Sequence, residues 1–425
     1  MRGLIKYFLI IFFIANASSQ DKLFTIIDPD QTGIHFSNDL IDTKENNVFL
    51  YANFYGGAGV GVGDFDNDGL DDLFFAGNLV DDKIYKNLGN LKFQDKTPNS
   101  GIINDSSWST GVTVADVNND GLLDIYVSCE LYDDQPKLRT NKLYINKGNF
   151  EFDELAAKWN VDVDRRTRHA VFFDYNKDGL LDLYLLNHPP NTGNFSPFLG
   201  TDMKLPEYNL QLFENKEGFF EDVTAKAGLD RSGFPNAAVI GDFNKDGWPD
   251  IYVANDFEAP DFLYYNNQDG TFDYKTESSL RHTSFYSMGV DAADINNDSH
   301  LDLMVLDMTA EDNFRLKSNM SGMNPDSFWK VVNDGGHYQY MFNTLQLNNG
   351  NETFSDIAQF TQTAATDWSW ASLVADFDND GNKDIYITNG LLRDIRNTDA
   401  DKKISDLVSK TFNKYIIENP DNSNV

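Results

Sequence analysis

Apolar residues along this chain fall into short runs, mostly three to five positions long, bounded by glycine, asparagine and aspartate. Runs of that length, rich in branched and aromatic side chains, predict β-strands rather than helices. The runs recur in a fixed order. A strand of small and branched residues comes first, as in Gly59-Val60-Gly61-Val62-Gly63, Ala237-Ala238-Val239-Ile240 and Ala371-Ser372-Leu373-Val374. An acidic loop follows, and then an apolar strand with aromatics, such as Leu73-Phe74-Phe75, Ile125-Tyr126-Val127 or Ile251-Tyr252-Val253. A hairpin then closes the unit with an apolar-aromatic pair, an Asn, a glycine-containing turn and a Phe. Examples run from Ile84-Tyr85-Lys86-Asn87 to Phe93, from Leu143-Tyr144-Ile145-Asn146 to Phe150 and from Leu263-Tyr264-Tyr265-Asn266 to Phe272. Leu212-Phe213-Glu214-Asn215 and Leu345-Gln346-Leu347-Asn348 repeat the theme. Four short strands per unit predict an all-β fold, a β-propeller of four-stranded blades. The glycine-rich first strands suit the crowded central channel. The segment from Leu23 to Ile27, through Gly33-Ile34, resembles the outer strand Phe220-Glu221-Asp222-Val223-Thr224 with Gly228-Leu229. It predicts the last strand of the final blade, which would close the ring and remove an exposed edge.

The acidic loop occurs six times as Asp-x-Asp/Asn-x-Asp-Gly-x-x-Asp. The first copy is Asp64, Asp66, Asp68 and Asp72; the second is Asp116, Asn118, Asp120 and Asp124. Asp174, Asn176, Asp178 and Asp182 form the third, and Asp242, Asn244, Asp246 and Asp250 the fourth. Asp294, Asn296, Asp298 and Asp302 form the fifth, with Ser299 in the glycine position; Asp376, Asp378, Asp380 and Asp384 form the sixth. Their unequal spacing marks one module with loops of different length inserted.

Oxygen ligands at alternating positions of a tight loop describe a hard-cation site, and calcium accepts such a flexible shell better than magnesium. The lack of His and Cys at these positions argues against zinc. An EF-hand needs Glu at position 12, where this chain has Phe75, Val127, Leu185, Val253, Val305 and Ile387, all in strand-like runs. Up to six structural calcium ions are therefore expected, the fifth site being the weakest because of Ser299. Asp256, Asp307 and Asp356 lie outside the register and read as ordinary surface or turn residues.

Composition narrows the setting. The 425 residues carry a net charge of −33, which opposes binding to nucleic acid or anionic membrane. Arg2 and Lys6, the apolar run Tyr7 to Ile14 and Ala15-Asn16-Ala17 predict an export signal over 1–19, cleaved near Ala17–Ser19. No later run is long enough to span a bilayer. Cys129 is the single cysteine, so no internal disulfide can form, and it reads as a buried thiol. The expected organisation is export signal 1–19, propeller 20–390, and a C-terminal segment 391–425. In that segment Ile404, Leu407, Val408, Phe412, Tyr415 and Ile416 recur at helical spacing before a polar tail.

These loops and strands resemble the FG-GAP or VCBS repeat, the unit of the integrin α-subunit propeller and of many exported bacterial proteins. The resemblance covers about Gly57 to Gly390. Val253-Ala254-Asn255-Asp256-Phe257 and Thr366-Asp367-Trp368-Ser369-Trp370 are similar to stretches in bacterial relatives of cartilage acidic protein. The resemblance implies a seven-bladed ring with structural metal loops, often continued by an ASPIC/UnbV module. This chain has six loops and no third or fourth strand after Gly390, so its last blade is expected to be incomplete.

No H-E-x-x-H pair or G-x-S-x-G elbow occurs, and Gly59 to Gly63 leads into a strand, not the helix of a nucleotide loop. His169 reads as a packed or channel-lining residue, and no catalytic residue is assigned. A ligand surface is expected on two long insertions, His188 to Tyr208 and Asp307 to Tyr340; the second carries Phe314, Phe328, Trp329, His337 and Tyr338. The reading is a secreted, non-enzymatic module binding extracellular glycan or protein. Its alternatives are a polysaccharide hydrolase or lyase and a scaffold within a longer ASPIC/UnbV-type protein.

Overall fold

A computed structural model describes residues 24–418, except 49, 52–53, 104, 131–135, 190–203, 258, 320–322 and 391–396. The export-signal expectation and most of the first insertion fall outside the described residues. Five four-stranded antiparallel sheets follow one another along the chain, each in simple sequential order. The first blade comprises Val60–Gly63, Asp72–Phe75, Lys83–Asn87 and Phe93–Asp95, and the second Ser109–Ala115, Asp124–Cys129, Lys142–Asn146 and Phe152–Glu154. Arg166–Phe173, Asp182–His188, Gln211–Asn215 and Phe220–Asp222 make the third. The fourth is Pro235–Gly241, Asp250–Asn255, Phe262–Asn266 and Phe272–Tyr274. The fifth is Val290–Ala293, Asp302–Val305, Thr344–Asn348 and Phe354–Asp356. The sixth sheet has two described strands, Ser369–Ala375 and Asp384–Asn389. The architecture of four-stranded blades matches the expectation, with one local change: the second hairpin places Phe152, not Phe150, in its outer strand.

The first strand of each blade packs against the first strand of the next, from the first blade to the sixth. Glycine makes this approach possible. A Cβ on Gly59 would come within 2.8 Å of Val112 N, and one on Gly289 within 2.3 Å of Trp370 O. The second strands of the second to fifth blades are buried on both faces, as in Asp124–Cys129 and Asp250–Asn255. They fill cores shared between neighbouring blades, such as the cluster of Tyr184, Leu186, Leu212, Ile251, Val253 and Tyr264. Cys129 is a buried free thiol, with burial pushing its pKa up to about 12. His169 lines a cavity with Gly59, Gly111 and Asn236, all on or beside first strands, and burial holds its pKa down at about 4.

Phe24 stacks edge-on against Phe377, centroids 5.7 Å apart, and lies 5.2 Å from Tyr386, both on the sixth unit. Residues 24–28 carry no strand pairing, so the expected closing strand is present as a packing contact and not as a ladder. The position has parallels. Phe65 packs on Phe152, Tyr175 on Phe272 and Phe243 on Phe354, so each loop aromatic meets the outer strand of the following blade. Phe24 therefore stands where the outer strand of a blade after the sixth would stand.

The insertion between Asp307 and Tyr340 holds two helices, α1 (Asn313–Asn319) and α2 (Pro325–Asn333). Helix α3 (Thr398–Glu418) forms in the C-terminal segment, and on it Ile404, Leu407 and Val408 are exposed. Among the described residues no helix is long and apolar enough to cross a membrane.

Candidate metal centres and ligand surface

Each loop joins the first two strands of its blade. Its first aspartate accepts the backbone N–H groups of positions 5 and 6, at 3.0 and 2.7 Å for Asp64 and at 3.0 and 2.9 Å for Asp242. The position-5 aspartate accepts from position 7, as Leu122 N to Asp120 at 2.9 Å. The glycines at position 6 sit at φ between 86° and 89°, the left-handed region that the turn demands. Ser299 adopts φ 69° and donates to Asp294 in the same way, so the fifth loop keeps the shared backbone geometry.

The ninth-position aspartates are the deepest. Asp72, Asp124, Asp182, Asp250 and Asp302 are essentially inaccessible. One oxygen of each accepts the N–H at position 2; the other accepts the Asn of the third strand, as Asn146 N to Asp124 at 2.8 Å. Burial pushes their carboxyls up, to about 6 for Asp72 and about 7 for Asp124, Asp182 and Asp250, partly offset by those backbone donors. Neighbouring loop carboxylates add to the rise, and a bound divalent cation would reverse it. Asp384 is half-buried, because no third strand covers it among the described residues.

These residues fit a hard cation. The expected ligand side chains of each loop share one tight turn and offer oxygen atoms. Carboxylate oxygens of Asp64, Asp66 and Asp72 lie within 4.8 Å of one another, as do those of Asp376, Asp378 and Asp380. Asp66 Oδ1 is buried with no hydrogen-bond partner, and Oδ2 of the same carboxylate accepts from Lys86. In the second to fifth loops an Asn stands at position 3, and its amide donates to the position-5 carboxylate at 2.9 to 3.1 Å.

Two features escape the loop pattern. The third-strand Asn of the second to fifth blades also reaches back to the preceding blade. Asn146, Asn215, Asn266 and Asn348 donate to the carbonyls of Phe65, Val117, Tyr175 and Phe243 at 2.8 to 2.9 Å. The recurring Asn was visible in the hairpin motif, but its distant acceptor was not. Lys86 is the second: its ammonium bonds Asp66 and Asp68 in the first loop.

Asp256 and Asp307 correct the sequence reading, since both are buried rather than surface residues. Asp307 accepts from Ser284 Oγ at 2.5 Å and from the N–H groups of Tyr286 and Met308. Asp356 departs from that reading too: it ends the outer strand of the fifth blade, half-buried, and bonds Leu345 N, Ala358 N and His282.

The second insertion builds a ligand-sized surface. Helix α2 roofs a cavity of about 190 Å³ lined mainly by Phe285, Tyr286, Phe328, Val331, Met341 and Gln339. His337 also lines it, and burial lowers its pKa to about 4, so the ring is neutral at physiological pH. His337 also lines a more polar groove of about 440 Å³ with Arg281, Tyr338, Asn349, Thr353 and Ser355. Trp329 and Tyr338 are 53% and 41% exposed, next to Phe328.

The FG-GAP-like repeat family matches residues 64–127, 242–305 and 328–387. Cartilage acidic protein 1 of Xenopus tropicalis is 25% identical over 348 residues, covering 78% of this chain and 48% of that protein. The Homo sapiens protein of the same name is 22% identical over 206 residues, covering 48% and 28%. The chain thus spans about half or less of the length of these curated relatives. Among solved structures, the Agrocybe aegerita lectin that specifically recognises non-reducing terminal N-acetylglucosamine aligns at TM-score 0.43. That alignment has 16% identity and covers 77% of this chain and 73% of the lectin. The V. cholerae biofilm matrix protein Bap1 aligns at TM-score 0.35 and 12% identity, covering 71% and 38%.

Proposed function

Because FG-GAP-like repeats match three stretches of this chain, we propose that it is an exported, calcium-held propeller acting as a binding module for extracellular glycan or protein. The observation that carries the metal half is the convergence of loop carboxylates, as where oxygens of Asp376, Asp378 and Asp380 lie within 4.8 Å of one another. Without a cation these groups repel one another in one tight turn; calcium supplies the counter-charge and coordinates oxygen. The ions brace the turns between first and second strands, so the blades hold their register and carry the insertion as a rigid platform.

The binding half rests on the insertion. Exposed Tyr338 lines a groove of hydroxyl, amide and guanidinium groups, and exposed Trp329 is joined to it through Phe328, which suits a sugar chain. Its C–H faces would stack on the rings and its hydroxyls would bond the groove. A polysaccharide hydrolase or lyase would need two carboxylates facing each other across a pocket. The groove and cavity of the insertion include one acid, Glu277.

An immobilised panel of polysaccharides, probed with the purified chain in calcium, tests the binding half. The expected result is saturable binding to at least one glycan, weakened at least about tenfold by Trp329→Ala or Tyr338→Ala. Binding that ignores both substitutions would move the ligand surface elsewhere. Turnover of any panel member would favour the enzymatic alternative.

A further inference from the structure

We propose that the Lys86 ammonium is the resident cation of the first loop, so that this loop alone is built to fold without a divalent ion. The inference rests on the calcium reading of the other loops. In the second to fifth loops the Asn amide at position 3 bridges to the position-5 carboxylate. The first loop has Asp66 there, a carboxyl side chain with no amide to donate, beside Asp68. Lys86 fills the missing role: it bonds Asp66, and it lies 2.8 Å from Asp68 Oδ2.

The lysine is held from a third side. Its ammonium lies 5.7 Å from the ring centre of Phe150 on the neighbouring blade. The corresponding third-strand positions, each just before the Asn, are Ile145, Glu214, Tyr265 and Leu347, none of them cationic. An extra aspartate and a lysine therefore occur together in one repeat, and their charges cancel. The sixth loop supplies the contrast. Asp378 again stands at position 3, yet no third strand brings a lysine to it among the described residues.

A calcium ion entering the first loop must expel Lys86 from two carboxylates. The test counts calcium ions per mature chain by native mass spectrometry and calcium titration. It compares wild type with Lys86→Gln and with the double variant D66N/K86Q, which copies the pattern of the other loops. Each variant is expected to bind one more ion than wild type. In chelator, Lys86→Gln is expected to melt below wild type, and D66N/K86Q to recover part of the loss. Equal ion counts in all three proteins, together with equal melting in chelator, would overturn the role given to Lys86. Absence of calcium from all three would instead sink the calcium reading, and the inference with it.

Discussion

Chelating calcium from the mature chain is expected to lower its melting temperature by on the order of 20 °C. Each ion held at a hundredfold its dissociation constant contributes about 2.7 kcal/mol to the folded state, so four or more occupied loops sum to over about 10 kcal/mol. The loss should be larger than a simple sum, because the loops are physically linked. Asn67 donates to the carbonyl of Gly121 at 3.0 Å, and Asn119 to that of Gly179 at 3.2 Å. A loop that opens when its carboxylates repel one another therefore loosens the next. Thermal unfolding followed by circular dichroism, with calcium and with chelator, measures the effect. An unchanged midpoint would contradict a structural role for the metal.

The second large effect concerns the ties between blades. Asn266 donates through its side chain to Tyr175 O at 2.9 Å and to Pro249 O at 3.2 Å, and accepts from Gln268 N. Replacing it with alanine leaves two carbonyls without that donor, at about 1–3 kcal/mol for each buried group. Asn266→Ala is therefore expected to destabilise the chain by about 3–5 kcal/mol in calcium, read from denaturant unfolding. A substitution on the exposed end of the same hairpin, Asp269→Ala, should cost well under about 1 kcal/mol. Equal effects of the two would mean that the cross-blade bond adds nothing to ordinary hairpin packing.

Much of this architecture was legible because its causes are local. The position-6 glycine, the alternating oxygen ligands and the small first strands each follow from a turn, a coordination shell or a close approach. Repetition then made each signal unambiguous. The cross-blade bonds were hidden for the opposite reason: Asn146 and Phe65 are 81 residues apart, and Asn348 and Phe243 are 105 apart. The hairpin pattern displays the donor but not its acceptor. Asp307 was misread because it lies outside the loop register, whereas its burial is set by Ser284 and the backbone around Tyr286. The helices of the second insertion were also missed, since its aromatics gave no clear period against the propeller pattern. Lys86 escaped notice because its meaning depends on the contrast among six loops, not on the motif they share.

The most direct measurement is anomalous X-ray scattering from crystals of the mature chain grown with calcium. The account predicts peaks inside the second, third, fourth and sixth loops, a weaker one at the Ser299 loop, and none beside Lys86. No peak in any of those five loops, or calcium sites confined to places outside the Asp-rich turns, would contradict it.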